Sequence, residues 1–126
     1  MYLLDTCAFI WSVQDSPELS SAAAKILDGY DKVYVSQATF WEIAIKQTTG
    51  KLNLSKTSYE LAEICKAEDI DILPLELAHF ERLKQLPMIH KDPFDRIIIA
   101  SAIEEGLIIL TKDDAIRKYE DVKTLW

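Results

Sequence analysis

Short apolar runs punctuate the chain: YLL at 2–4, VYV at 33–35, IDIL at 70–73, LIIL at 107–110 and, more weakly, VKTL at 122–125. Runs this short and this uniformly apolar suit strands covered on both faces. Between them the apolar positions return every three or four residues, the period of a helix. SPELSSAAAKILDG opens on a capping signal at Ser16 and ends at Gly29, SQATFWEIAIKQTTG runs from Ser36 to Gly50, and DPFDRIIIASAIEEG runs from Asp92 to Gly106. In all three a glycine stands just past the last helical position, a usual way for a helix to stop. Further helices are expected near 57–68, 76–85 and 113–119. Strands alternating with helices predict an α/β fold with a mainly parallel central sheet of four to five strands, flanked by helices on both faces. No composition shift, low-complexity tract or internal repeat divides the sequence, so residues 1–126 read as one domain.

One stretch breaks the apolar pattern in an informative way. In HKDPFDR, residues 90–96, Asp92 is placed as an N-cap, with Pro93 at the first helical position and Asp95 at the third. Capping accounts for Asp92 but not for the face on which Asp95 lies. On a helix Asp95 shares its side with Ile98, Ile99 and Ala102, so its carboxylate follows the stripe that packs inward. A carboxylate aimed inward needs a partner.

Three more acids belong with it. In an open parallel sheet the functional crevice lies beyond the carboxyl ends of the strands. Asp5 directly follows YLL, and Asp113 follows LIIL after Thr111 and Lys112. Asp95 opens the helix that feeds LIIL, and such a helix begins at that same end of the sheet. Glu42 sits early in the helix after VYV, inside the apolar run FWEIAI and on a face with Ala38 and Ile45. Taken singly, each acid has a local reading. Asp5 caps the helix that follows, Asp113 caps a short last helix, and Glu42 pairs with Lys46 at i, i+4. Asp28, Asp31 and Asp114 read as solvated turn residues. Jointly, four carboxylates on one edge repel and raise one another's pKa, a cost that a cation relieves.

Composition narrows the chemistry. With 126 residues, 49% hydrophobic and 28% charged, the chain is large enough for a core of its own. No apolar stretch reaches membrane-spanning length and MYLLDT lacks the marks of a signal peptide, so a cytoplasmic protein is expected. Cys7 and Cys65, far apart and outside any CxxC, read as ordinary semi-buried residues rather than a disulfide or zinc site. With glycine only at 29, 50 and 106, neither GxGxxG nor GxxxxGK[ST] nor GxSxG can be written. His79 and His90 have no serine or cysteine partner and are expected at the surface or in loops. The net charge of −7 argues against nonspecific adhesion to nucleic acid or anionic membrane. An all-oxygen ligand set without cysteine or histidine suits Mg²⁺ or Mn²⁺. Such an ion activates a water and neutralises a phosphate under attack, so an acidic protein can still work on an anionic substrate.

LLDTCAFIW, VSQATFWEIAIK, HKDPFDRIIIASA and LIILTKDDAIRKY, in that order and nearly at full chain length, resemble a PIN domain of the VapC-type toxin–antitoxin group, in the branch that carries DPFDR. The resemblance implies an endoribonuclease in which Asp5, Glu42, Asp95 and Asp113 hold Mg²⁺ or Mn²⁺ for water attack on RNA, leaving 5′-phosphate and 3′-hydroxyl ends. It places Thr6 and Thr111 where the family often has a hydroxyl near the metal, and Ser36 at the start of the helix that carries Glu42. Asp114 is an alternative to Asp113, and Asp92 a possible outer-shell ligand. Arg96 opposes the helix dipole from the first turn, and reads as a partner of the acids or of RNA phosphate, or as a solvent-facing side chain. The expected partners are an RNA substrate, an antitoxin with a basic or amphipathic tail, and a second copy of the chain; no membrane is expected. Two rival readings remain. One is another Mg²⁺-dependent α/β phosphoryl-transfer or phosphatase domain, which needs a second acid beside Asp5 where the chain has only Thr6 and Cys7. The other is a non-catalytic PIN-like module whose acidic groove binds a basic peptide.

Overall fold

The computed structural model describes residues 1–126. In chain order the elements are β1 (Tyr2–Leu4), α1 (Thr6–Val13), α2 (Ser21–Asp28), β2 (Val33–Ser36), α3 (Gln37–Thr48), α4 (Ser58–Ala67), β3 (Ile70–Leu73), α5 (Leu77–Gln85), α6 (Pro93–Glu105), β4 (Ile108–Leu110), α7 (Asp114–Arg117) and β5 (Thr124–Leu125). The strands form one sheet in the order β3-β2-β1-β4-β5. Every pairing is parallel, with Leu4 opposite Val35 on one side and Leu110 on the other. No helix is long and apolar enough to cross a membrane.

The apolar runs divide by strand alternation between two cores. Leu4, Val33, Val35 and Leu110 point to the side packed by Ala8 and Phe9 of α1, Ile43 of α3, and Leu61 and Cys65 of α4. Leu3 and Ile109 point to the other side, against Ile98, Ile99 and Ala102 of α6 and against Ile116 and Tyr119 at the end of the chain. A sheet covered on both faces is what uniformly apolar strands require. Each fully buried Leu or Ile contributes about 1.5–3 kcal/mol, which makes the two cores the main source of cohesion.

Several boundaries differ from the pattern. The helix expected from Ser16 starts four residues later, with Ser20 as its cap, where Oγ accepts from Ala23 N–H at 3.1 Å. Ser16 instead accepts from Glu18 N–H at 3.2 Å, and this local turn around Pro17 competes with helix. Gly29 does follow the helix, but in an extended conformation with φ −90°. The last helix closes at Arg117 and the last strand is only Thr124–Leu125.

Gly106 behaves as expected. At φ +66° it ends α6, and Leu107 N–H reaches back to Ala102 O at 2.8 Å. An added Cβ there would meet nothing within 4 Å, so the requirement is purely one of backbone conformation. Gly106→Ala should therefore cost about 1–2 kcal/mol in urea unfolding, and Gly106→Asn less; equal stability of the two variants would contradict this.

Candidate active site

The sheet order reverses between β1 and β4, and the crevice at such a reversal lies beyond the carboxyl ends of those two strands. Asp5 and Thr111 occupy those ends. Asp5 N–H is bonded to Leu110 O at 3.2 Å, which places the acid directly against β4. Its Oδ1 accepts from Ala8 N–H at 2.8 Å as the N-cap of α1, and its Oδ2 accepts from the Thr111 hydroxyl at 2.5 Å. Asp113 N–H in turn donates to Thr111 Oγ1 at 3.0 Å, so one hydroxyl joins the two acids. Asp113 caps α7, its Oδ1 accepting from Ala115 N–H at 2.7 Å. The capping readings of both residues hold, and each cap engages only one carboxylate oxygen.

Glu42 enters from α3 and is 4% exposed. Its Oε2 pairs with Lys46 Nζ at 2.7 Å, the i, i+4 partner that its spacing suggested. Its Oε1 is buried without any hydrogen-bond partner. Asp95 stands in the first turn of α6, half-buried, with Oδ2 3.3 Å from His90 Nε2. Asp92 is the cap of that helix, its Oδ1 accepting from Phe94 N–H at 2.9 Å and Asp95 N–H at 3.0 Å.

Electrostatics tie the four acids together. Burial pushes the Asp5 carboxyl up to about 6, against the lowering effect of the Thr111 and Ala8 bonds, with Asp113 and Glu42 adding repulsion. Burial pushes Asp95 further, to about 8, reinforced by the charges of Asp92, Asp113, Asp5 and Glu42. Asp5 thus feels Asp113 and Glu42, and Asp95 feels all three others, the mutual repulsion expected of carboxylates sharing one site. The helix N-termini of α1, α6 and α7 meet at this edge and offset part of the cost.

The remaining expected residues fall into two groups. Thr111 and Ser36 stand where they were expected, Ser36 fully buried as the cap of α3 with Oγ accepting from Ala38 N–H at 3.0 Å. Thr6 and Arg96 turn away from the edge, and Asp114 is the solvated turn residue expected of it rather than the alternative to Asp113. The Thr6 hydroxyl is turned inward to Thr39 Oγ1 at 3.0 Å, where it joins α1 to α3. Asp114 has a 92% exposed side chain and lies 3.8 Å from Arg117, one turn along α7, so Asp113 is the acid at the edge. Arg96 is neither solvent-facing nor paired with an acid. It is buried, and its Nη1 donates to Pro87 O at 2.9 Å and to the Tyr119 hydroxyl at 3.0 Å, because its position on α6 faces the core rather than the crevice.

The histidines and cysteines also depart from expectation. His79 is fully buried in α5, accepting from Glu76 N–H at 3.1 Å and bonded to Glu105 at 3.0 Å, which ties α5 to α6. His90 lies in a loop, as expected, but half-buried against Asp95. Cys65 is buried four residues from Leu61 on the inner face of α4, whereas Cys7 is exposed at the acidic edge. Burial raises the Cys7 thiol to about 11, and Asp5 adds to it, so Cys7 is no nucleophile near neutral pH.

The crevice beside Asp5 and Asp113 is also lined by Cys7, Trp11, Glu18 and Lys112. Lys112 Nζ bonds Glu18 at 2.9 Å and lies 5.9 Å over the Trp11 ring. Trp11 and Lys112 lie inside LLDTCAFIW and LIILTKDDAIRKY, but no spacing in the sequence pairs them. Only their arrival at the end of β4 and on α1 brings them together.

No three acidic, histidine or cysteine side chains stand together as a ready-made chelate. The donor set nevertheless fits a hard cation. Mg²⁺ takes one or two carboxylates and keeps several waters, and the partnerless Glu42 Oε1 together with the elevated Asp5 and Asp95 are groups that a cation would satisfy.

A PIN domain family model matches residues 2–122. The chain is 29% identical to Ribonuclease VapC22 of Mycobacterium tuberculosis (strain ATCC 25618 / H37Rv) over 130 residues, covering 98% of this chain and 97% of that protein. Among solved structures it resembles VapBC2 of Rickettsia felis bound to a promoter DNA fragment, with TM-score 0.73, 11% identity and coverage of 99% and 98% of the two chains. It also resembles a toxin–antitoxin complex from Klebsiella pneumoniae, with TM-score 0.66, 18% identity and coverage of 97% and 95%.

The raised carboxyls make stability depend on pH in a defined direction. The folded chain holds these protons more tightly than the unfolded chain, whose aspartates titrate near 3.8. In EDTA, their contribution is therefore fully present below about pH 4 and is lost as pH rises through about 6 for Asp5 and about 8 for Asp95. Thermal melts in EDTA from pH 5 to 9 should show this decline, and Asp95→Asn should flatten its upper part while being no less stable than wild type at pH 8. Asp92→Ala should instead lose about 0.5–2 kcal/mol near pH 5, as loss of a helix cap does, and less toward pH 9, where its charge no longer opposes that of Asp95.

Proposed function

The chain belongs to the PIN domain family, and from that premise we propose that it is an endoribonuclease that hydrolyses RNA with Mg²⁺ or Mn²⁺ held by Asp5, Glu42, Asp95 and Asp113. One observation carries the reading: buried Glu42 Oε1 has no partner at the same edge where Asp5 and Asp95 are pushed to about 6 and about 8. Folded chains rarely leave a buried carboxylate oxygen unbonded, and an elevated pair of acids at a sheet's switch point is costly without a compensating charge. A bound cation would supply a water acidic enough to attack and would neutralise the phosphate under attack.

The chain's own residues do the rest. Asp5, fixed on both oxygens by Ala8 N–H and Thr111, gives the site a carboxylate with one orientation. Thr111 holds Asp113 in register with it. Glu42 and Asp95 approach from α3 and α6, so four elements set the spacing. Lys46, paired with Glu42, keeps a cation close to the anionic substrate. Lys112, held over the Trp11 ring and bonded to Glu18, lies beside the acids, where it can turn to a phosphate. Hydrolysis then proceeds by water attack at phosphorus in line with the departing ribose oxygen, which leaves as an alcohol once protonated.

The relative named as a ribonuclease and the toxin–antitoxin complex of the same fold support a toxin of a type II toxin–antitoxin system. Its partner would be an antitoxin whose basic or amphipathic tail meets the acidic crevice, a fit that the net charge of −7 favours.

Purified protein should cleave RNA in Mg²⁺ or Mn²⁺ and stop in excess EDTA; undiminished cleavage in EDTA, with contaminating ribonuclease excluded, sinks the assignment. Asp5→Asn, Glu42→Gln, Asp95→Asn and Asp113→Asn should each lower cleavage by more than the roughly 10- to 100-fold that loss of an outer-shell partner costs. The association rate with the antitoxin should fall as salt rises. Growth unaffected by overexpression of the intact protein alone would count against the toxin role.

A further inference from the structure

We infer that His90 is a positioning residue for Asp95, held by Tyr119 and Arg96 in the one tautomer that can serve it. The inference rests on the reading of Asp95 as a metal ligand.

The side chains form a chain of bonds across three parts of the fold. His90, in the loop between α5 and α6, has Nδ1 2.8 Å from the Tyr119 hydroxyl and Nε2 3.3 Å from Asp95 Oδ2. Its ring lies 5.4 Å from that of Tyr119, at 65°. Arg96 Nη1 donates to the same hydroxyl at 3.0 Å. Donor and acceptor chemistry sets the order of the chain. A guanidinium only donates, so the Tyr119 oxygen accepts from Arg96 and its own hydrogen is free. Tyr119 is buried, with His90 Nδ1 as the acceptor within reach. Nδ1 therefore carries the lone pair, and the ring hydrogen sits on Nε2, facing Asp95 Oδ2. Oδ2 is thereby occupied by His90, and Oδ1 is left for a ligand.

This arrangement accounts for Arg96. A buried cation in the first turn of α6 works against the helix dipole and gains no carboxylate in return. The loop carbonyl of Pro87 could be bonded by a neutral donor. What the guanidinium adds is a group unable to accept, so the buried Tyr119 hydrogen is left with His90 Nδ1 as its acceptor. Tyr119 directly follows the short helix capped by Asp113, so the chain also couples the element carrying Asp113 to the orientation of Asp95. Ligating carboxylates are usually steered by such outer partners, whose loss costs affinity for the metal.

Two readouts independent of catalysis test the proposal. Long-range ¹H–¹⁵N spectra of the wild-type protein in Mg²⁺ should show His90 protonated at Nε2, and Tyr119→Phe, which keeps the ring, should lose that preference. Mn²⁺ binding, followed by electron paramagnetic resonance, should weaken about 10- to 100-fold in His90→Ala and recover largely in His90→Gln, which retains an N–H donor. A wild-type His90 protonated at Nδ1 overturns the inference, as does a folded His90→Ala whose Mn²⁺ affinity stays within about twofold of wild type. If the wild-type protein itself binds no Mn²⁺, the acid cluster is not a metal site and the inference falls with that reading; if only the His90 variants behave as wild type, it falls alone.

Discussion

Asp5 is a buried carboxylate held on one oxygen by a helix N-terminus and on the other by Thr111, and the arrangement of the acidic edge depends on that junction. It forms because β1 and β4 are neighbours, and they are neighbours because the chain reverses direction across the sheet after β3. The first strand thereby becomes central, its carboxyl end next to that of a strand laid down a hundred residues later. The Thr111 hydroxyl then donates to the Asp5 carboxylate and accepts from the Asp113 backbone N–H, so the turn that carries Asp113 is anchored on Asp5.

Capping and ligation are compatible in this fold. Asp5, Asp92 and Asp113 all accept first-turn N–H groups, which is reason enough for an aspartate at each position. Yet a cap needs one oxygen, and a carboxylate has two. Helices α1, α6 and α7 are stabilised by residues that also bring charge to the same edge, while the helix dipoles temper the repulsion this creates. Glu42 and Asp95 cap no helix, and each has a single side-chain partner, Lys46 and His90. Glu42 keeps one oxygen buried without a partner and Asp95 is lifted far above an ordinary carboxyl, so burial costs more at these two positions than their local bonds return.

Around this edge lie groups that read as unremarkable in isolation. Lys46 neutralises one oxygen of Glu42, Lys112 covers the Trp11 ring, and His90 leans on Asp95. They set cations and aromatic faces around the acids of a chain whose net charge is −7.

The sequence by itself determined the elements and the nominations. Apolar runs of strand length and helical periods closed by Gly106 are local signals, since propensity and capping act within a few residues. Asp95 was legible for the same reason: a charge on an apolar stripe contradicts its own helix. Side-chain partners far apart in sequence were not legible. That the Thr6 hydroxyl turns to Thr39, that His79 is fully buried between α5 and α6, and that Arg96 bonds Tyr119 rather than an acid follow from packing between elements that no local pattern specifies. The false start at Ser16 has the opposite origin, two competing local signals of which the nearer cap, Ser20, prevailed. The sequence had already put Asp5, Glu42, Asp95 and Asp113 at one edge. Only the tertiary structure decided how deeply each is buried and which bonds it keeps, and so which carboxyls are raised, because burial and neighbours through space set a pKa.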